Sequence, residues 1–387
     1  MNRERAAKLL AEAGAEVLVA TAYPNVIYVS GYQPFSQRFL PTSQVYAITD
    51  LTRTAVVAPI GDADMYAQFP PPGVRMAFYG TFYTEAGPAA TEEMKRFAAV
   101  AFSEPAASAL DALVAELGGL PADCRIALDE RGILPAVYAA LRERFGARVI
   151  PGAELLDRIR MVKTPDEIRR LTRATETIEA SYEAALAAAR PGMTEAEMAA
   201  VFDRESIAQG ASPLFTVIAF GERSALPNAV PGSRPLGPGD IIRFDIGCRA
   251  EGYASDISRT AVFREASAKQ RTYYAAILAG EDEALAAVRP GARACDVFAA
   301  AVRATQAAGI PHYRRHHVGH GIGLDVYDRP TLNAADETVL EPGMVLEVET
   351  PYYEIGFGGL QVEDTVVVTE GGYRMLTRTA RDLRIVP

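Results

Sequence analysis

The chain repeats itself once, and this constrains its fold more than any other feature. Glu183-Ala-Ala-Leu-Ala-Ala-Ala-Arg-Pro-Gly192 returns 99 residues later as Asp282-Glu-Ala-Leu-Ala-Ala-Val-Arg-Pro-Gly291. Pro238-Gly-Asp-Ile-Ile-Arg-Phe-Asp245 returns at an offset of 104 as Pro342-Gly-Met-Val-Leu-Glu-Val-Glu349. Gly252-Tyr-Ala-Ser-Asp256 returns at 107 as Gly359-Leu-Gln-Val-Glu363. Three echoes in one order, with slowly growing offsets, specify a duplicated α/β unit whose halves pack about a pseudo-twofold axis. Two copies are too few for a solenoid.

Ahead of the repeat, short β-rich runs alternate with helical segments, as in a smaller α/β domain. Strands are expected at Glu16–Ala20, Asn25–Ser30, Val45–Thr49, Ala55–Pro59 and Arg125–Leu128. Helices are expected over Arg3–Ala13, Ala89–Ala98, Ala106–Leu117 and Leu134–Phe145. The boundary falls between Pro151 and Pro165, giving domains of residues 1–155 and 156–387. Thr164-Pro165-Asp166-Glu167 opens the second domain's first helix, and Thr194-Glu-Ala-Glu197 is a capping box for the next.

Composition narrows the function classes. A formal net charge of −10 disfavours nucleic acid or an anionic membrane as partner. No apolar run approaches the ~18 residues of a membrane span. The three cysteines, Cys124, Cys248 and Cys295, are far apart without metal-type spacing, which fits a reduced, cytoplasmic protein.

All four histidines fall within His312–His320, and Gly321-Ile-Gly323 follows directly. Each half of the duplication ends a β-type run on a carboxylate, Asp245 and Glu349, and supplies another soon after, Asp256 and Glu363. The pseudo-twofold brings these four together. Buried side by side they repel, so they either take up protons or share cations. Oxygen ligands with one imidazole, His320, suit a pair of hard or borderline divalent ions, manganese, iron or cobalt before a thiolate-type zinc site. Such a pair acidifies water and polarises a carbonyl, and Glu349 is placed to accept and return the proton.

Phe244-Asp-Ile-Gly247, Ser255-Asp-Ile-Ser-Arg-Thr260, Gly319-His-Gly-Ile-Gly323, Gly343–Glu349 and Val362-Glu363-Asp364 resemble the signatures of the M24 "pita-bread" metallopeptidases. The likeness is greatest to aminopeptidase P and prolidase and covers about Ala153 to the C-terminus. Gly14–Tyr32 more loosely resembles the creatinase-type N-terminal domain. The resemblance implies a dinuclear centre ligated by Asp245, Asp256, His320, Glu349 and Glu363, with manganese first and cobalt, iron or zinc as alternatives. It also implies a bridging hydroxide as nucleophile, a homodimer or homotetramer, and cleavage of an Xaa-Pro amide bond in a small peptide. His316 matches a family histidine that holds substrate and stabilises the tetrahedral intermediate; His312 and His317 have no match and read as structural or exposed.

Four positions depart from that pattern. Asn228 and Tyr327 stand where the family commonly has histidine, Gln361 where it has arginine, and Thr331 where prolidases tend to carry an arginine for the substrate carboxylate. Asparagine and glutamine hydrogen-bond but carry neither proton nor charge. Asn228, His316, Tyr327 and Gln361 are therefore the expected substrate-binding residues. Two alternatives follow: a relative with the same metals acting on a metabolite amide or by elimination, and a non-catalytic pita-bread module that binds a partner protein.

Overall fold

Val17–Ala20 (β1) is buried at every residue, so the first sheet is covered on both faces. In the computed structural model, which describes residues 1–40, 42–85, 87–121 and 123–387, β1 lies inside a six-stranded sheet. The other strands are Tyr46–Thr49 (β2), Thr54–Pro59 (β3), Val74–Tyr79 (β4), Ile126–Leu128 (β5) and Val149–Pro151 (β6), in the order β4-β3-β2-β1-β5-β6. The β1–β2 and β2–β3 pairs are antiparallel and the remainder parallel. Val17, Val19, Val57, Leu113, Ile126 and Leu128 form the centre of its core.

One expectation here is corrected. Asn25–Ser30, expected as a strand for its Val, Ile and Tyr, belongs to a helix over Tyr23–Ser30. Pro24 occupies its first turn and Gly31, at φ 72°, ends it. Those start and stop signals outweigh β-propensity. Asn25, Val26, Tyr28 and Val29 are buried together, at spacings that only a helical face gathers. Two strands, β4 and β6, were not anticipated. The segment inside the expected boundary is also helical, over Ala153–Met161. The compact units are Met1–Arg160 and Met161–Pro387.

The second unit shows the duplication directly. Helices Pro165–Ala187 and Glu195–Ala208, each opened by a capping box, the second as expected and the first where a threonine cap was expected, lead into Ser212–Phe220 (β7), Ile241–Ala250 (β8) and Tyr253–Phe263 (β9). Helices Ala268–Ala287 and Ala294–Ala308 then lead into Gly319–Gly321 (β10), Asp328–Thr331 (β11), Val345–Glu349 (β12) and, past the hairpin Tyr352–Glu354 (β13) and Gly358–Leu360 (β14), into Glu363–Thr369 (β15). Gly372–Met375 (β16) pairs with β15, and Arg384–Val386 (β17) with β9. The sheet runs β11-β10-β12-β15-β9-β8-β7, so β7-β8-β9 and β10-β12-β15 mirror each other about an axis between β9 and β15. Loop contacts repeat as well. Gly192 N–H donates to Leu236 O and Gly291 N–H to Leu340 O, both at 2.9 Å. Thr194 bridges Pro235, as Arg293 bridges Val339. Four strands from the two halves thus meet at the centre of one sheet.

Candidate metal centre

Side chains two residues apart share a face of a strand, so β8 presents Arg243 and Asp245 together, and β12 presents Glu347 and Glu349. Register assembles the site from these faces. Asp245 lies opposite Ser258, Ser258 opposite Glu363, and Glu363 opposite Glu349. One row along, Gly247 lies opposite Asp256, and Glu347 opposite both Thr365 and His320. Carboxylates from both halves therefore share one face across the pseudo-twofold.

Ligand-capable atoms of Asp256, His320 and Glu363 lie within 4.8 Å of one another, and all three residues are buried. The His320 Nδ1 faces Gly321 O at 3.0 Å, which turns Nε2 toward Asp256 Oδ2 at 3.9 Å. Asp245 and Glu349 flank this trio. Asp245 Oδ2 accepts from Arg243 Nη1 at 3.2 Å, and Glu349 is tied to His317 Nδ1 at 3.1 Å.

Burial, reinforced by repulsion from neighbouring carboxylates, pushes Asp256 and Glu363 well above the usual carboxylate range. Asp245 is raised by burial too, although Arg243 opposes this. Burial also acts to raise Glu349, but the His317 hydrogen bond and the nearby Arg315 outweigh it and leave Glu349 below its ordinary value. Burial lowers His320, keeping it neutral. Asp256 Oδ1 is buried with no hydrogen-bond partner. Crowded anionic oxygens, one unpartnered, beside a neutral imidazole nitrogen fit a hard or borderline divalent cation.

These shifts give a signed prediction for metal-free protein. Groups with raised folded pKa contribute stability below their unfolded values, near pH 4, and lose it as pH rises through the folded values. The melting temperature of chelator-treated protein therefore falls as pH rises above the ordinary carboxylate range, about pH 4, and Glu363→Gln makes the fall shallower. Scanning calorimetry of the two proteins side by side checks this; identical slopes would contradict it.

The other expected residues are placed as follows. Tyr327 stacks on His320, with centroids 3.8 Å apart and 27° between planes, and is otherwise exposed. Asn228 and His316 are exposed. Gln361, expected to face substrate, is buried and hydrogen-bonded to Arg243, Tyr353 and Glu349. Thr331 lies opposite His320, and Arg329 points to Asp336 at 3.6 Å. His312 contacts the Tyr352 hydroxyl at 3.1 Å, a structural role as expected. His317, read as structural or exposed, is instead the histidine that touches Glu349.

Sequence reading also missed three charged residues. Arg243 is fully buried. Glu347 is buried, with Oε1 accepting from Thr365 at 3.1 Å and Oε2 unpartnered. Arg315 lies over the Tyr353 ring at 5.6 Å; its Nε is buried without a hydrogen-bond partner, and it makes no ion pair among the described residues. A charge at the alternation position of an expected ligand was the available signal for the first two.

A sheet-centred cluster of carboxylates and one imidazole, built from two copies of one unit, is suited to a divalent cation. Residues 169–370 match the model of metallopeptidase family M24, and the chain belongs to that family. It is 36% identical over 232 residues to the Xaa-Pro dipeptidase of Pyrococcus furiosus, covering 59% of this chain and 67% of that protein. It is 32% identical over 266 residues to the Xaa-Pro dipeptidase of Lactobacillus helveticus, covering 67% and 72%. The solved Xaa-Pro dipeptidase from Bacillus anthracis superposes with a TM-score of 0.80 at 26% identity, covering 99% of each chain. The fold is the pita-bread type with its N-terminal domain, and the protein is a metallopeptidase that uses divalent metal. Among the described residues no helix is long and apolar enough to cross a membrane.

Proposed function

We propose that this chain hydrolyses the amide bond before proline in short Xaa-Pro peptides, at a centre of two divalent ions, manganese first among them. Asp245, Asp256, His320, Glu349 and Glu363 are the ligands in this reading, and cobalt, iron and zinc are the alternative metals. The observation that carries it is the convergence of Asp256, His320 and Glu363 donor atoms within 4.8 Å, in a chain similar to Xaa-Pro dipeptidases.

A divalent pair supplies Lewis acidity, which polarises an amide carbonyl and acidifies water. The chain's own residues do the rest. Glu349, held ionised by His317, accepts the proton of the attacking water and returns it to the leaving nitrogen. His317 keeps that carboxylate oriented. Tyr327, His316 and Asn228 present exposed polar groups for the substrate. The unpaired cysteines support a reducing, cytoplasmic compartment, and the family resemblance supports a homodimer or homotetramer.

The test is hydrolysis by manganese- or cobalt-loaded protein of Xaa-Pro dipeptides, Xaa-Pro-Yaa tripeptides and proline-free peptides. Metal-dependent cleavage confined to Xaa-Pro bonds supports the reading. No cleavage by fully loaded protein refutes it.

Arg315 bears on the dipeptide question. A guanidinium without an ion-pair partner is suited to a substrate carboxylate. Arg315→Gln is expected to reduce the kcat/KM preference for a dipeptide free acid over its amide by about tenfold or more. An unchanged preference would exclude that role.

The departures at Asn228, Tyr327 and Thr331 favour one second reading, hydrolysis of a non-peptide amide with the same metals. Restoring histidine at 228 and 327 would then impair the native reaction, and improved peptide cleavage would count against it.

A further inference from the structure

Arg243 is fully buried beside Asp245, and every one of its five N–H groups is spoken for. Nε donates to Ser224 O at 3.0 Å, and Nη2 to Leu226 O at 2.8 Å and Pro227 O at 2.9 Å. Three carbonyls of one segment therefore lock the planar fork. The two remaining hydrogens, on Nη1, go to Asp245 Oδ2 at 3.2 Å and Gln361 Oε1 at 2.9 Å.

Gln361 passes the constraint on. Its Oε1 also accepts from the Tyr353 hydroxyl at 3.0 Å, so both lone pairs are used and the amide is fixed with Nε2 toward Glu349 Oε2 at 3.2 Å. Its backbone is pinned too: Gln361 N–H donates to Thr260 Oγ1, and Thr260 Oγ1 donates to Gln361 O, both at 2.9 Å. Thr260 is the register partner of Arg243. One guanidinium thus holds Asp245 of the first half directly and Glu349 of the second half through a single amide.

The duplication shows that this device belongs to one half alone. The offset of 104 that relates Asp245 to Glu349 relates Arg243 to Glu347, so the equivalent position across the pseudo-twofold carries an acid. With glutamine at 361, the Arg243 charge reaches Glu349 from β8 through one amide.

We propose that Arg243 is the positioning residue of the metal centre, setting the separation of Asp245 and Glu349 through Gln361. A lysine cannot replace it, because three rotating donors on one atom do not satisfy five fixed acceptors. The assignment rests on the ligand set proposed above, and its test reads the metal directly.

Cobalt(II) is titrated by calorimetry, and its visible absorption recorded, for wild type, Arg243→Lys, Arg243→Leu, Gln361→Arg and the double variant Arg243→Leu/Gln361→Arg. Arg243→Lys is expected to bind cobalt about tenfold or more weakly, with an altered absorption spectrum and a fall in kcat larger than any rise in KM. The double variant, which moves the guanidinium to the other strand, is expected to bind about tenfold tighter than Arg243→Leu. If Arg243→Leu does not fold, a double variant that folds with near-wild-type affinity carries the same support. Arg243→Lys with wild-type affinity and spectrum, differing only in melting temperature, overturns the assignment and leaves the ligand set standing. Wild-type protein that binds no cobalt overturns both.

Discussion

Glu363→Ala protein folds, binds less metal, and loses hydrolysis of an Xaa-Pro dipeptide by at least about a thousandfold, equivalent to about 4 kcal/mol of transition-state stabilisation. Glu363 sits in the middle of the carboxylate row, opposite Glu349 on β12 and Ser258 on β9. Its position one residue from the pseudo-twofold makes it a neighbour of ligands from both halves. Ser258 Oγ donates to its Oε2 at 2.7 Å, and alanine leaves that hydroxyl without its partner, a cost of about 1 kcal/mol. Against this, the substitution removes one of several buried anions that raise one another. Metal-free Glu363→Ala therefore melts no more than a few degrees below metal-free wild type, while the metal-induced gain in melting temperature is largely lost. Asp256→Ala behaves alike. Retained hydrolysis in either folded variant would remove that residue from the ligand set.

Glu349→Gln lowers kcat by about a hundred- to ten-thousandfold with a smaller change in KM, the range for loss of a general base. Glu349 is the one carboxylate of the centre held below its ordinary value, while Asp256 and Glu363 are driven up. Environments that push like groups apart assign them different tasks, and the ionised member is the proton acceptor. Glutamine keeps the shape but places an NH2 where His317 or Gln361 Nε2 already approaches. A mismatch of donors replaces a charge-assisted pair. Steady-state kinetics with metal content measured in the same samples separates this from simple metal loss. A variant that loses activity only in proportion to its lost metal would leave Glu349 as a ligand and not a base.

Much of the site was legible because duplication writes it twice. Asp245 and Glu349 stand at matching ends of matching runs, and Asp256 and Glu363 follow them 11 and 14 residues later, so the chain aligns its own candidate ligands without a relative to compare. The threonine cap with proline at Thr164-Pro165 and the capping box at Thr194 marked helix starts for an equally local reason. What escaped depends on register between distant strands. Arg243 and Glu347 lie inside apolar runs, where alternation alone puts them beside Asp245 and Glu349, but their hydrogen-bond partners come from Gln361 and Thr365. Which of two adjacent histidines touches Glu349 is a matter of loop geometry, and neighbouring positions in His316-His317 look alike in sequence. Asn25–Ser30 failed differently: its β-branched residues pointed to a strand, and Pro24, Gly31 and packing overrode them.

In the reading proposed above, the converging carboxylates and His320 hold divalent metal that drives Xaa-Pro cleavage. That reading is tested most directly by titrating manganese into chelator-treated protein while following Gly-Pro hydrolysis and bound metal together. No turnover is expected without metal; activity rises with bound manganese and levels off at two equivalents, and Glu363→Ala shows neither response. Full turnover by metal-free protein, or two tightly bound equivalents with no cleavage of any Xaa-Pro substrate, would contradict it.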